Sequence, residues 1–103
     1  MQKKINSYMG FARKSGNIVM GTGTCEIYMG KKKVKLLIIC EDTSENSKEK
    51  IIRAAEKTNT KYRVYGDSEE LSKAVGSPGR TVFGITDKKF ADTILGVIDA
   101  EQQ

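Results

Sequence analysis

Five consecutive apolar residues, Leu36-Leu-Ile-Ile-Cys40, constrain this chain more than any other stretch. A run of that length with no polar interruption suits a central β-strand covered on both faces, and it is too short to be a helix in its own right. The two faces of such a sheet need apolar helices, and the sequence supplies helical patterns on either side. Upstream, Ile5, Tyr8, Met9 and Ala12 recur at i, i+3, i+4 and i+7, which predicts a helix from about Ile5 to Ser15. Arg13 and Lys14 fall in its last turn, where cations complement the helix dipole, and Gly16 closes it. Asn17–Met20 reads as a short strand. Gly21-Thr-Gly-Thr then turns the chain, with Thr22 or Thr24 available as N-cap for a helix running to about Met29. Cys25, Tyr28 and Met29 form its inner face, Gly30 ends it, and Lys31–Lys33 lead into the central strand.

Downstream the alternation continues. Ser44 or Asn46 caps a helix whose buried stripe is Ile51, Ile52, Ala54 and Ala55 and whose end is Asn59. Lys61–Tyr65 is a half-buried strand with Tyr62 and Val64 on one face. Asp67 with Glu70 three residues on resembles a capping box, opening a short helix with Leu71, Ala74 and Val75 inward and Gly76 at its end. The loop Ser77-Pro78-Gly79-Arg80 precedes a fourth strand, Thr81–Ile85. Thr86-Asp87 caps a last helix buried along Phe90, Ala91, Ile94, Leu95 and Ile98, and Glu101–Gln103 reads as a frayed tail. The order α-β-α-β-α-β-α-β-α predicts one α/β domain over residues 1–103, a sheet between helices in three layers. A chain of this length buries roughly 60–70% of its unfolded surface, enough for a core without staples.

Composition excludes most catalytic classes. The chain has no histidine, which removes the commonest general base and metal ligand and every Ser-His or Cys-His system. Gly21-x-Gly23 after a strand is the start of a dinucleotide-binding pattern, but Glu26 stands where the third glycine belongs and would repel a pyrophosphate. Gly30-Lys31 lacks the hydroxyl residue and the earlier glycine of a phosphate-binding P-loop; Lys32 and Cys25 occupy those places. Glu41-Asp42 stands at a strand end where α/β enzymes place active sites, and helix capping accounts for it better. The two cysteines match no zinc spacing and read as reduced, buried thiols. With no secretory segment and no apolar run near the ~20 residues a bilayer crossing needs, a cytoplasmic protein is expected.

Charge then points to a partner. The net charge of +5 is unevenly placed: residues 1–35 carry eight Lys and Arg against one acid, whereas residues 41–70 carry six against eight. Segregation of this kind favours an anionic partner on one face, usually nucleic acid. Two glycine-bearing segments could approach it closely. One is the helix start Gly21, Thr22, Gly23, Thr24, whose backbone N–H groups suit a phosphate or base edge. The other is the loop Gly76, Ser77, Pro78, Gly79, Arg80, in which proline stiffens the chain and Arg80 supplies a forked, permanent cation. Lys14, Lys31, Lys32 and Lys33 would hold phosphates. Taken alone, Gly79-Arg80 also reads as a simple turn with a solvated charge.

The segments R-K-S-G-N-I-V-M-G (13–21), K-L-L-I-I-C-E-D-T-S-E-N (35–46), E-E-L-S-K-A-V-G (69–76) and G-R-T-V-F-G-I-T-D-K-K-F-A (79–91) carry a further signal. Together they resemble the YlxQ-type bacterial relatives of the ribosomal proteins L seven Ae and L thirty e, across essentially the whole chain. The resemblance implies a three-layer α/β/α sandwich with a four-stranded mixed sheet. It implies binding to kink-turn RNA, an internal loop with tandem sheared G·A pairs and a sharp bend. In the relatives the start of the second helix meets the G·A pairs and the loop before the fourth strand meets the unstacked nucleotides. Those elements match Gly21–Cys25 and Gly76–Arg80. A bend is also where side chains can reach base edges, because the regular A-form major groove is too narrow.

The chain departs from strong kink-turn binders at three positions. They carry Asn or Lys where this chain has Gly23, Glu or Gln where it has Thr24, and commonly a basic residue where it has Ile27. Each lost bidentate contact costs about 1–3 kcal/mol of discrimination. Two readings follow. The first is a cytoplasmic, non-enzymatic, monomeric RNA-binding protein of ribosomal type in a translation context. It takes structured RNA, ribosomal RNA included, as partner, with no cofactor, metal, membrane or small-molecule substrate. The second is a protein-interaction or ribosome-assembly module that has lost specific RNA recognition. Gly23, Thr24 and Ile27 favour the second; the basic N-terminal third favours the first. An enzyme on this fold rests on fold class alone, which names no function.

Overall fold

In the computed structural model, residues 4–102 are described. The elements are α1 (Lys4–Lys14), β1 (Ile18–Met20), α2 (Thr22–Gly30), β2 (Leu36–Ile39), α3 (Glu45–Lys57), β3 (Tyr62–Val64), α4 (Ser68–Ala74), β4 (Val82–Ile85) and α5 (Lys88–Glu101). The strands form one four-stranded mixed sheet in the order β1-β4-β2-β3. β2 and β3 are parallel; β4 runs antiparallel to both β1 and β2.

The central run behaves as a doubly covered strand must. Leu36, Ile38 and Cys40 point into one core with Ile5, Met9 and Ala12 of α1, Leu71 of α4 and Ala91, Ile94 and Ile98 of α5. Leu37 and Ile39 point into the other with Cys25 and Met29 of α2 and Ile51 and Ala55 of α3. The period-2 alternation of a strand thus distributes one apolar run between two cores. The three layers are α1/α4/α5, the sheet, and α2/α3. No described helix is long and apolar enough to cross a membrane.

Caps set most of the helix starts. Ser44 accepts from the Ser47 N–H, Asp67 from Glu70 and Asp87 from Phe90. Glu70 also accepts from Asn6 Nδ2 at 3.0 Å, tying α4 to α1. The expectation of a threonine cap on α2 fails. Gly21 is the N-cap residue, and no side chain caps this helix. The physical reason lies in the turn: Gly21 donates its N–H to Val82 O at 2.9 Å and holds φ 91° and ψ 150°, a conformation open essentially to glycine alone. Thr22 and Thr24 therefore lie inside the first turn, exposed. The tail also differs from expectation. Glu101 is helical, Tyr65 Oη donates to its carboxylate, and Gln102 Nε2 donates to Val64 O at 3.1 Å. Gln103 lies outside the described residues.

Gly84 interrupts β4 where the sheet meets the α2/α3 layer. A Cβ there would stand 3.0 Å from Val19 Cγ2 and 3.2 and 3.3 Å from the two Val34 methyls. The Gly84→Val variant is expected to lose about 1–3 kcal/mol of unfolding free energy through overpacking. Urea denaturation followed by circular dichroism measures it; an unchanged midpoint would mean that Val19 and Val34 yield freely.

Candidate nucleic-acid interface

Sheet order builds the site. Because β4 lies antiparallel between β1 and β2, its first residues sit beside the last residues of β1, with Met20 opposite Phe83. The chain leaves β1 at Gly21 and enters β4 from Arg80, so the two glycine-bearing segments become neighbours. A side-chain carbon on Gly21 would lie 3.0 Å from Arg80 Nη1. The absent Gly21 side chain is what lets the guanidinium lie against the start of α2.

Each half is held in shape locally. Cys25 donates its N–H to Gly21 O at 3.0 Å, which closes the first turn of α2. The N–H groups of Thr22, Gly23 and Thr24 precede the first residue that can find an intrahelical acceptor. They carry the positive end of the helix dipole, and no side chain caps them with a hydrogen bond. In the other segment Gly76 N–H reaches Lys73 O at 3.0 Å and Ser77 N–H reaches Ser72 O at 2.9 Å, fastening the loop to the end of α4. Pro78 followed by Gly79 at φ 87° has the residue order and the φ sign of a type II turn. Arg80 Nε donates to Ser77 Oγ at a long 3.4 Å, leaving most of its donors to solvent.

The lysines are placed elsewhere. Lys31–Lys33 follow the far end of α2, about 13 Å along the helix axis from Thr22. Lys31 Nζ stands 5.9 Å from the centre of the Tyr28 ring. Lys32 adopts φ 59° and donates from Nζ to Thr58 O at 2.5 Å, capping the C-terminal end of α3. Lys33 is exposed and shares a shallow hollow with Tyr28, Lys35 and Gly16. Lys14 is exposed in the last turn of α1, two residues before that same Gly16. The structure thus joins Gly21–Thr24 to Gly76–Arg80 and separates both from Lys31–Lys33. The lysine end also gathers Lys35, Lys61 and Lys88, which sequence reasoning missed. They stand near the starts of three different elements, and only strand pairing brings them together.

Electrostatics at the glycine end is mixed. Glu41, Asp42 and Asp67 follow the C-terminal ends of β2 and β3. Asp42 accepts from both the N–H and the hydroxyl of Ser68, and those bonds hold its carboxyl below the usual carboxylate range. Burial, together with Asp42, Asp67 and Glu41, pushes the Cys40 thiol up to about 12. Burial, then Glu26, does the same to Cys25. Both thiols are therefore neutral near pH 7 and poor nucleophiles. Among the described residues no group of three His, Cys, Asp or Glu side chains is arranged to hold a metal ion.

The model of the Ribosomal protein L7Ae/L30e/S12e/Gadd45 family matches residues 3–95. The chain belongs to this family. Among curated relatives, the RNA-binding protein YlxQ of Bacillus subtilis (strain 168) is 23% identical over 91 residues, covering 88% of this chain and 91% of that protein. The RNA-binding protein YlxQ of Enterococcus faecium is 27% identical over 98 residues, covering 95% and 94%. A solved structure of a protein with unknown function from Bacillus halodurans superposes with a TM-score of 0.91 at 23% identity, covering 95% of this chain and 99% of that one. The Giardia lamblia 15.5 kD RNA-binding protein superposes at 0.75 with 16% identity, covering 97% and 92%. These two likenesses are of fold.

Proposed function

We propose that this chain is a non-enzymatic RNA-binding protein that reads kink-turn or similarly bent RNA through the joined surface of Gly21–Thr24 and Gly76–Arg80. The observation that carries the reading is the contact of Arg80 with the glycine cap of α2. It makes one recognition face from two segments far apart in the chain. The Thr22, Gly23 and Thr24 N–H groups offer backbone donors to base edges or phosphates, and the Thr24 hydroxyl adds one more. Arg80 lies beside them as a forked cation suited to phosphate or a splayed guanine. Gly76, Ser77, Pro78 and Gly79 present a stiff, exposed turn for unstacked nucleotides. Lys14, Lys31, Lys32 and Lys33 contribute salt-dependent affinity for more distant phosphates. The names of the YlxQ relatives support an RNA partner. A monomer in the cytoplasm, working in a ribosomal or translation context, completes the reading.

A salt series against a kink-turn RNA tests it, with a duplex of equal length and Watson–Crick pairs in place of the G·A pairs as control. Tighter binding to the kink-turn, persisting at moderate salt, is the expected result. The Arg80→Ala variant is expected to lose about 1.5–3 kcal/mol of kink-turn binding, the range for hydrogen bonds to a charged group. Unchanged affinity would remove the loop from the interface. Ile27, 59% exposed on α2, favours the second reading, a protein-docking or assembly module. Equal binding to both RNAs, collapsing as salt rises, would select it.

A further inference from the structure

The strongest concentration of cations lies at the opposite end of the sheet from the glycine-bearing face. Lys32 and Lys35 precede β2, Lys61 precedes β3, and Lys88 follows β4; all four line one hollow. The register explains the gathering. Lys35 N–H bonds Ile85 O at 2.7 Å and Leu37 N–H bonds Lys61 O at 2.9 Å, so the starts of β2 and β3 and the end of β4 are coplanar neighbours. All four lysines are exposed. Asp92 is the acid in the hollow, bound to Lys88 at 3.1 Å in an exposed pair. Such an exposed pair is weak, so Lys88 can leave it for a phosphate. The floor adds polar groups: Asn59, held at φ 60°, and the hydroxyls of Thr58 and Thr60, which bond each other at 2.8 Å.

The glycine-bearing end is mixed, with Glu41, Asp42 and Asp67 near Arg80's edge of the sheet, Lys48 Nζ donating to Glu41 O at 3.0 Å and Lys73 at the end of α4. An RNA read there meets cations interspersed with acids. The lysine end, about 13 Å away across β4, instead gathers four exposed lysines around Asp92. The hollow lies at the other end of β4 from the bases that would meet Gly21 and Arg80, so what it holds is a different stretch of RNA.

We propose that this lysine hollow is a second RNA site, holding the phosphate backbone of a duplex segment other than the one read at Gly21 and Arg80. The inference rests on an RNA partner but not on kink-turn recognition. The protein then bridges two RNA segments, one read by shape and base edges and one held by charge alone.

The test uses the triple variant Lys35→Gln, Lys61→Gln, Lys88→Gln in the full chain. These side chains are exposed, so folding is retained, and circular dichroism checks it. Fluorescence anisotropy of a duplex RNA of about 16 base pairs, read across a salt series, gives the log–log slope. The slope is expected to be shallower in the variant by about 2–3, with duplex affinity down about tenfold or more at low salt. Preference for kink-turn over duplex at moderate salt should survive. Wild-type protein held on an immobilised kink-turn RNA should capture the labelled duplex, and the variant should not. Capture and slope unchanged in the variant would overturn the proposal. So would loss of duplex binding in Arg80→Ala alone, or tighter binding of phosphatidylglycerol vesicles than of duplex at equal phosphate. If the wild type shows no kink-turn preference yet its duplex slope flattens in the variant, the lysine site stands and the kink-turn reading falls.

Discussion

Replacing Gly21 with valine is expected to lower the unfolding free energy by about 1–3 kcal/mol and to weaken kink-turn RNA binding by about tenfold or more. Two independent costs meet at this residue. The φ of 91° with ψ of 150° lies in a region that residues with a Cβ enter only under strain. The added carbon would also stand 3.0 Å from Arg80 Nη1, and the valine methyls beyond it take up space the guanidinium uses beside α2. Gly23 is the matched control, because nothing lies within 4 Å of where its Cβ would be. Gly23→Ala should leave stability unchanged or raise it by up to about 1 kcal/mol, since alanine is the better helix former. Urea denaturation and anisotropy titration of both variants separate the effects. A Gly21→Val protein that loses stability but binds the kink-turn as tightly as wild type would sink the joined-face reading.

The Phe83→Ala variant is expected to lose about 3–5 kcal/mol, the range for a fully buried aromatic. Phe83 heads the largest fully buried side chains and fills the core between the sheet and the α1/α4/α5 layer. Domains of this size hold about 5–15 kcal/mol in all, so the loss takes a large share. At roughly 4–8 °C per kcal/mol it should lower the melting temperature by about 12–40 °C, read by circular dichroism. Phe83 faces away from α2, so RNA affinity measured well below the new melting point should change little. A loss under about 1 kcal/mol would mean that α1 and α5 can close over the vacancy.

The sequence alone determined the order of elements, their faces and most of their caps. Those are local properties. A period of 2 or 3.6 in apolar residues is written into neighbouring positions, and Ser44, Asp67 and Asp87 reach N–H groups only three residues away. It also singled out the two glycine-bearing segments, because glycine and proline leave their mark within a few residues. The cap on α2 escaped local reading: two threonines offered side chains, yet the constraint came from Val82 on a distant strand, which fixes Gly21 in a conformation no threonine adopts. Tertiary structure decided the rest. Strand order β1-β4-β2-β3 sets which chain ends meet, and no short window of sequence encodes it. That order lays Arg80 against Gly21, carries Lys31–Lys33 to the other pole, and adds Lys35, Lys61 and Lys88 to them. A charge count along the chain sees a basic N-terminal third; the fold converts it into a basic end of the sheet, because hydrogen bonding between strands brings together residues that sequence distance keeps apart.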